Sequence, residues 1–460
     1  MTTFVRMVFA QARGAARAGP RRVRPRPPGP RALYPVRMAT TASSVTETCR
    51  AAKAAARPLA RLSRGTKDAA LHAIADALEL RADEILEANA RDLEAGRRDE
   101  IGTALLDRLT LTPERVAGMA AGVRQVAALP DPVGEVLDGG RLDNGLRVER
   151  VRVPLGVVAV VYEARPNVTI DAAALALKSG NAIVLRGSST AQHSNAVLAA
   201  VAAQAAESAG VPAGAISLVS GGGREELAEL ATQTGVVDLI IPRGGEGLKR
   251  ALEGVATVPV IYAAAGVCHV YVDASADLDK AVAIAVNAKT HRPGVCNAAE
   301  TLLVHGAVAA EFLPAALAAL AAEGVELRVD ARTRAAAGED APPLVDATDE
   351  DWGTEYLDLV VTVGVVDSLE EAVDHIVEHG SGHSDAIVTR DLAASEAFVA
   401  GVDSAAVYVN ASTRFTDGAE FGMGAEIGIS TQKLHARGPI GLRELCTYTY
   451  VVHGDGHVRG

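Results

Sequence analysis

Aromatic residues make up only 3% of the chain. With so few rings, a stacking platform for single-stranded nucleic acid is excluded as its main business. Basic excess is missing as well: the net charge of -12 disfavours a polyanionic partner such as DNA or RNA. Cysteine is scarce, and Cys49, Cys268, Cys296 and Cys446 lie far apart, with neither metal-ligand spacing nor a dense disulfide pattern. A reducing cytoplasm is the expected location. No uncharged apolar run of about 18 residues is flanked like a membrane span, so no membrane is expected as a partner. Acidic residues are missing from Met1 to Arg37, a segment that carries nine Arg and several Pro. A transit peptide is Arg-rich and acid-poor in this way, but the Pro25 to Pro30 run forbids the amphipathic helix such a signal needs. A disordered basic tail is a second reading. The favoured one is an upstream start, with Met38 as the functional first residue.

What is abundant is small and aliphatic. An apolar fraction of 49% over 460 residues supports two or three domains packed by Ala, Val, Leu and Gly. Ser44 to Gly96 and Thr112 to Leu129 read as helices, a packaging layer without chemistry. Asp143-Asn144-Gly145 between alternating runs predicts a hairpin over Gly134 to Val153. That ribbon reads equally as a sheet edge or an oligomerisation arm, and the strand-like Thr447 to Val452 is expected to join it. From Gly156 onward apolar strands alternate with helices: Gly156 to Val161, Ala182 to Leu185, Ala215 to Val219 and Val237 to Ile241. That alternation predicts α/β architecture with a doubly wound parallel sheet of the nucleotide-binding kind. The expected layout is a basic leader over 1–43, a cofactor domain over 44–133 and 154–267, a catalytic domain over 268–430, and an arm over 134–153 and 431–460.

Two loops at strand ends are candidates for holding a nucleotide, and each also reads as a plain turn. Arg186-Gly187-Ser188-Ser189-Thr190 offers a guanidinium and three hydroxyls but no carboxylate. A carboxylate there would hold a ribose 2′-hydroxyl and repel a 2′-phosphate, so its absence leans toward NADP over NAD. In Pro242-Arg243-Gly244-Gly245-Glu246-Gly247, glycines beside a helix start let backbone amides approach an anion. No Gly-x-Gly-x-x-Gly follows a strand in the usual register.

The stretch Asn287 to Thr301 centres on Cys296. Helix-forming Asp277 to Ala288 leads up to it, Pro293-Gly294 breaks the helix, and Thr301 to His305 leaves as a strand. A buried structural cysteine and a nucleophile facing a cleft are about equally compatible with this setting. His291 and Arg292 precede it, and cationic neighbours favour the thiolate. The spacing of His375, His379 and His383 suggests a metal on one helix face, but Gly380 and Gly382 break that helix, so no metal is expected.

Taken together, several motifs resemble the aldehyde dehydrogenase superfamily over roughly Val45 to Val452. They are Tyr162-Glu163-Ala164-Arg165-Pro166-Asn167, Arg292-Pro293-Gly294-Val295-Cys296-Asn297, His379-Gly380-Ser381-Gly382-His383-Ser384-Asp385, Phe421-Gly422-Met423-Gly424-Ala425-Glu426 and His435-Ala436-Arg437-Gly438-Pro439. The resemblance implies that family's fold, with an oligomerisation arm and a homo-oligomer. It implies reduction of an acyl phosphate, L-glutamyl 5-phosphate, by NADPH to the 5-semialdehyde and phosphate, the second step of proline biosynthesis from glutamate. Glutamate 5-kinase enters as a possible partner. In this reading Cys296 is the nucleophile, and Asn167 with the Cys296 amide stabilises the oxyanion. Without the resemblance, Asn167 reads as a turn residue after Pro166. For the cofactor, the resemblance gives Glu355 to the nicotinamide ribose, beside the loop candidates Arg186, Ser188, Ser189, Arg243, Gly244 and Gly245. A glutamyl substrate would call on Arg165, Arg292 or Arg414 for its α-carboxylate and Glu426 for its ammonium, with His383 lining the pocket. Oxidising relatives use a glutamate before the cysteine to activate water, and Val260 to His269 holds no carboxylate. Cys268 is expected in the core. Two other readings stay open: a reductase of a different acyl phosphate or thioester, and a catalytically silent scaffold.

Overall fold

The computed structural model describes residues 44–459, apart from Gly222 and Ala264. The basic leader expected at 1–43 lies outside the described residues.

Five helices open the described chain: Val45–Leu59, Arg64–Leu80, Ala82–Arg98, Thr103–Leu109 and Pro113–Ala128. The first starts with a reciprocal cap, in which the Glu47 amide donates to Ser44 Oγ at 3.2 Å and the Ser44 amide to Glu47 Oε2 at 3.0 Å. Thr112 caps the last, one residue before Pro113 at the position where a missing N–H costs nothing. Two buried lysines bind this layer to the rest. Lys67 Nζ donates to the Lys178 carbonyl at 3.0 Å and pairs with Asp131 at 2.6 Å. Lys178 Nζ in turn donates to the Ala127 carbonyl at 2.7 Å and pairs with Asp68.

The first sheet is parallel, in the spatial order Ile216–Leu218, Ala182–Gly187, Val157–Tyr162, Leu239–Arg243. Val157–Tyr162 is buried at every residue, as a strand covered by helices on both faces must be. From it the chain steps outward twice, then returns to pair on its other side. The strand order therefore reverses between Tyr162 and Arg243, and a crevice at such a switch point is where open α/β sheets take ligands. Gly156 opens the central strand at φ 126°, and a Cβ there would lie 2.3 Å from Asp238 Oδ2. That φ and that contact leave room for glycine alone.

The second sheet has seven parallel strands, in the order Leu344–Asp346, Glu326–Val329, Val360–Val366, Ala299–His305, Cys268–Val272, Ser384–Val388, Ala406–Val409. The two-residue alternation of side chains splits its apolar residues between faces. Val270, Val272, Leu302 and Val304 join one cluster, and Tyr271, Leu303 and Ile387 the other. Of its strands, the sequence reading located only those beginning near Cys268 and Thr301.

Val136–Arg141 and Arg147–Pro154 form the predicted antiparallel hairpin, and Cys446–His453 adds a third, outer strand. Between catalytic sheet and ribbon, Ile427, Ala436, Ile440, Leu442 and Leu445 return to the core of the first sheet. Asn181 holds that return, donating to the Leu445 carbonyl at 2.7 Å while accepting the Gly156 amide at 2.8 Å.

Candidate active site

Cys296 lies in the connection between helix Leu278–Thr290 and strand Ala299–His305. Both ends of that connection are tied together: Lys289 Nζ meets Glu300 Oε2 at 2.5 Å, and both side chains are 0% exposed. From beneath, the Cys268 thiol donates to the Cys296 carbonyl at 3.2 Å. Gly266 lies so close that a Cβ on it would fall 1.4 Å from the same carbonyl oxygen, so no side chain is possible there. Asn297 fixes the next residue, donating to the Thr416 carbonyl at 2.9 Å while Thr413 Oγ1 donates to its carbonyl at 2.7 Å. Those bonds also set the short turn Thr413–Phe415 that carries Arg414.

Cys296 itself is half-buried and a free thiol. Burial pushes its pKa up to about 11; Arg243 pulls the other way, and the charges of Glu355 and Glu426 add to the rise. This corrects the expectation that His291 and Arg292 activate the thiol. Both are exposed, so solvent screens them, and the cation that acts is Arg243, arriving from the end of its strand in the first sheet. Its side chain runs along Gly428, where a Cβ would lie 3.0 Å from Nη1.

A cleft of about 580 Å³ runs beside Cys296, walled by Arg292, Gly294 and Val295 from the cysteine loop and by Arg165, Asn167 and Asp171. The opposite wall is Asp107, Arg108, Thr110, Leu111, Arg115, Gly118 and Met119. The helical lead-in is therefore part of the site, which corrects its reading as packaging alone. Asn167 opens helix Asn167–Lys178 and donates through Nδ2 to Asp171 Oδ2 at 3.0 Å one turn on. Burial raises the Asp171 carboxyl to about 6, against the pull of Asn167 and Arg243. Among the described residues, Arg108, Arg165, Arg243, Arg292 and Arg414 form no salt bridge. Burial lowers the pKa of Arg165 and Arg414, and Arg414 Nε is buried without a hydrogen-bond partner.

Glu355 comes close enough for its charge to act on Cys296, its Oε1 accepting the Gly266 amide at 2.7 Å. Glu426 accepts the Gly418 amide at 2.7 Å, and burial lifts its carboxyl to about 7. So although Val260 to His269 carries no acid, two carboxylates from distant segments act on Cys296. His383 departs from expectation. It is 0% exposed, with Nδ1 2.8 Å from Ser384 Oγ and 3.8 Å from Cys268 Sγ, and burial lowers it to about 4. It therefore sits beneath the cysteine floor rather than on a pocket wall. Helix Leu369–His379 ends before it, and among the described residues no three His, Cys, Asp or Glu side chains are arranged to hold a metal ion.

The cofactor candidates fall in two places. Ser188 lines a smaller cleft of about 280 Å³ with Gln192, Asn195 and Ser220 at the ends of two strands of the first sheet. Ser188 Oγ and Asn195 Nδ2 are buried there without a hydrogen-bond partner, and Gly187 leaves the space, since a Cβ on it would lie 2.0 Å from Asn195 Nδ2. Beside them Arg186 Nη2 donates to the Gly223 carbonyl at 2.6 Å, and Ser189 starts a short turn at the surface. The loop has no acid of its own, but Glu226 folds back over Gly221 and Gly223 and its charge acts on Arg186. Gly244 and Gly245 precede helix Glu246–Glu253, where Glu163 Oε2 accepts the Gly245 amide at 3.3 Å. Of the residues the sequence reading missed, Asp171 could have been found from its four-residue spacing after Asn167 on a helix. Arg108, Asn195 and Glu226 have no local signal.

The sequence pattern of the aldehyde dehydrogenase family matches residues 31–358. The gamma-glutamyl phosphate reductase of Kineococcus radiotolerans is 58% identical over 429 residues, covering 93% of this chain and 99% of that protein. The enzyme of the same name from Thermobifida fusca is 56% identical, over 89% of this chain and 97% of its own. Among solved structures, gamma-glutamyl phosphate reductase from Thermotoga maritima superposes with a TM-score of 0.88 at 46% identity, covering 91% of this chain and all of that one. An acetylating aldehyde dehydrogenase from Geobacillus thermoglucosidasius, at 20% identity and a TM-score of 0.63 over 90% of this chain and 97% of that one, shares the fold. A half-buried cysteine in a fold of two parallel sheets, in a chain with these relatives, admits one conclusion: this chain belongs to the aldehyde dehydrogenase family of oxidoreductases.

Proposed function

We propose that the chain reduces L-glutamyl 5-phosphate to glutamate 5-semialdehyde and phosphate with NADPH, the second step of proline biosynthesis from glutamate. The observation that carries this reading is the group of arginines without ion pairs around Cys296. Unpaired guanidinium groups beside a nucleophile suit a substrate with separated anionic groups, a phosphate at one end and a carboxylate at the other. The name shared by relatives up to 58% identical supports the same substrate.

Cys296 must first lose a proton that its burial holds, with Glu426, near its own midpoint at about 7, as the acceptor. The thiolate then attacks the acyl carbonyl, and the C–O bond to phosphate breaks, leaving a thioester on Cys296. Negative charge builds on the carbonyl oxygen in that step. Asn167 Nδ2, oriented by Asp171, and the Cys296 amide are the proposed donors to it, and loss of such a donor typically costs about 2.7–4 kcal/mol of barrier. Phosphate departs toward Arg243 and its neighbours. Arg186, Ser188 and Asn195 would hold NADPH at one end, Gly244 and Gly245 in the middle and Glu355 at its nicotinamide ribose, and the bound cofactor would supply a hydride to the thioester carbon; the C–S bond of the resulting thiohemiacetal then breaks, which releases the aldehyde and returns the Cys296 thiolate. Val260 to His269 supplies no carboxylate to drive water onto the thioester.

Glutamate 5-kinase is the proposed supplier of the acyl phosphate, and a reducing cytoplasm keeps Cys296 a free thiol. Self-association is proposed through the ribbon, whose outer strand exposes Tyr448, Tyr450 and Val452. The test of the central reading is phosphate-dependent reduction of NADP by glutamate 5-semialdehyde, comparing the wild type with Cys296→Ser. Turnover in the first and none in the second is expected. Bound NADPH without turnover by the wild type would overturn the substrate.

A further inference from the structure

The cleft beside Cys296 carries more than positive charge. Of its charged side chains, Arg115 and Asp107 are already paired with each other at 2.8 Å. What is left open is three arginines, Arg108, Arg165 and Arg292, and one carboxylate, Asp171. A ligand bearing only anions would fit the arginines and leave the carboxylate opposed to it. A ligand with two anionic groups and one cation fits all four.

Asp171 is prepared for that cation. Its Oδ2 accepts from Asn167 Nδ2 at 3.0 Å, while Oδ1 takes no hydrogen bond among the described residues. No lysine or arginine pairs with it, although it is partly buried, a setting in which a carboxylate ordinarily finds a partner. Its carboxyl, raised to about 6 by burial, remains ionised at neutral pH. Glu426, the other carboxylate available to an ammonium group, is held by the Gly418 amide and faces Cys296 and Arg243 rather than this cleft.

We propose that Asp171 recognises the α-ammonium group of the substrate, with Arg108 and Arg165 taking the α-carboxylate, so that the cleft selects an amino acid chain over a simple acyl phosphate. This rests on the reading of the chain as a glutamyl phosphate reductase and adds the group that reads the amino acid end. Asp171 thereby has two partners, the ammonium on Oδ1 and the Asn167 carboxamide on Oδ2, and links substrate choice to the orientation of the oxyanion donor.

The test compares glutamate 5-semialdehyde with 5-oxopentanoate, the same chain without its amino group, in the phosphate-dependent reduction of NADP. Sites built around a polar group of the substrate reject the analogue lacking it by about 10⁴-fold in kcat/KM, and a preference of that order is expected for the wild type. Asp171→Asn keeps an acceptor for Asn167 but removes the charge. It is expected to cut the preference by about 30-fold or more, chiefly through the KM of the aminated substrate. Glu426→Gln, which removes the proposed proton acceptor of Cys296, is expected to slow both substrates alike and so leave the preference in place. An equal loss on both substrates in Asp171→Asn would show that Asp171 only positions Asn167 and would overturn the proposal. A collapse of the preference in Glu426→Gln would overturn it in favour of Glu426. If the wild type turns over neither aldehyde while Cys296 still reacts with iodoacetamide, the glutamyl phosphate reading itself falls, an outcome distinct from both.

Discussion

The interior of the scaffold and the cleft treat positive charge in opposite ways. Lys67, Lys178 and Lys289 are at most 1% exposed, and each is paired with a carboxylate: Asp131, Asp68 and Glu300. Arg165, Arg243 and Arg414, each half-buried, stand around Cys296 with no such pair among the described residues, and the exposed Arg108 and Arg292 lie beside them. A buried cation without a counter-ion is expensive, so where the chain only needs to fold it supplies the partner itself. Where it leaves cations uncompensated, the missing anion comes from outside.

Substitutions can test that contrast, beginning with the largest effect. Lys289→Met removes one half of a fully buried pair and strands Glu300. A loss of about 3–5 kcal/mol in urea unfolding is expected, and Lys289→Met with Glu300→Leu should recover much of it, because two apolar side chains of similar volume replace both charges. The same cut in the cleft should do the reverse: Arg165→Gln is expected to leave the unfolding midpoint nearly unchanged but lower kcat/KM about 100-fold, near 2.7 kcal/mol. If Arg165→Gln destabilised the fold as much as Lys289→Met, the contrast would be lost. At the cofactor end, Arg186→Ala is expected to weaken NADPH about tenfold relative to NADH, read by fluorescence titration. Glu226→Gln should shift the same ratio modestly the other way, because a negative charge near Arg186 is removed. The smallest effect concerns the thiol. With its pKa near 11, alkylation of Cys296 by iodoacetamide should still climb about tenfold per pH unit through pH 9. Since Arg243 favours the thiolate, Arg243→Gln should move that profile upward by less than about one unit.

The parts of this architecture visible in the sequence were those with a period or a break. Val157–Tyr162 is unmistakable because burial on both faces requires an unbroken apolar run. The hairpin was announced by Asn144-Gly145, and the cysteine loop by Pro293-Gly294. Much of the seven-stranded sheet went unread, since Glu326–Val329 and Leu344–Asp346, at one end of it, have only four and three residues, too short for periodicity to declare. The same limit applies to the site. Cys296 and Asn167 stand in motifs that a resemblance can carry, whereas Arg108 reaches the cleft from a seven-residue helix that is 188 positions earlier than Cys296 and bears no local mark. His291 and Arg292 misled because adjacency in the chain is not adjacency of side chains. The charge acting on Cys296 comes from Arg243 at the end of a strand of the other sheet, and burial outweighs it.

One wall of the cleft, residues 107–119, belongs to the helical lead-in, while Cys296, Asn167 and the loops proposed for the cofactor all come from later segments. The wall that carries Arg108 is thus a different piece of chain from the one that carries Asn167 and Asp171. Exchange of that single stretch offers a route to new acyl substrates that leaves the reacting atoms undisturbed, a modularity through which one oxidoreductase scaffold can diversify.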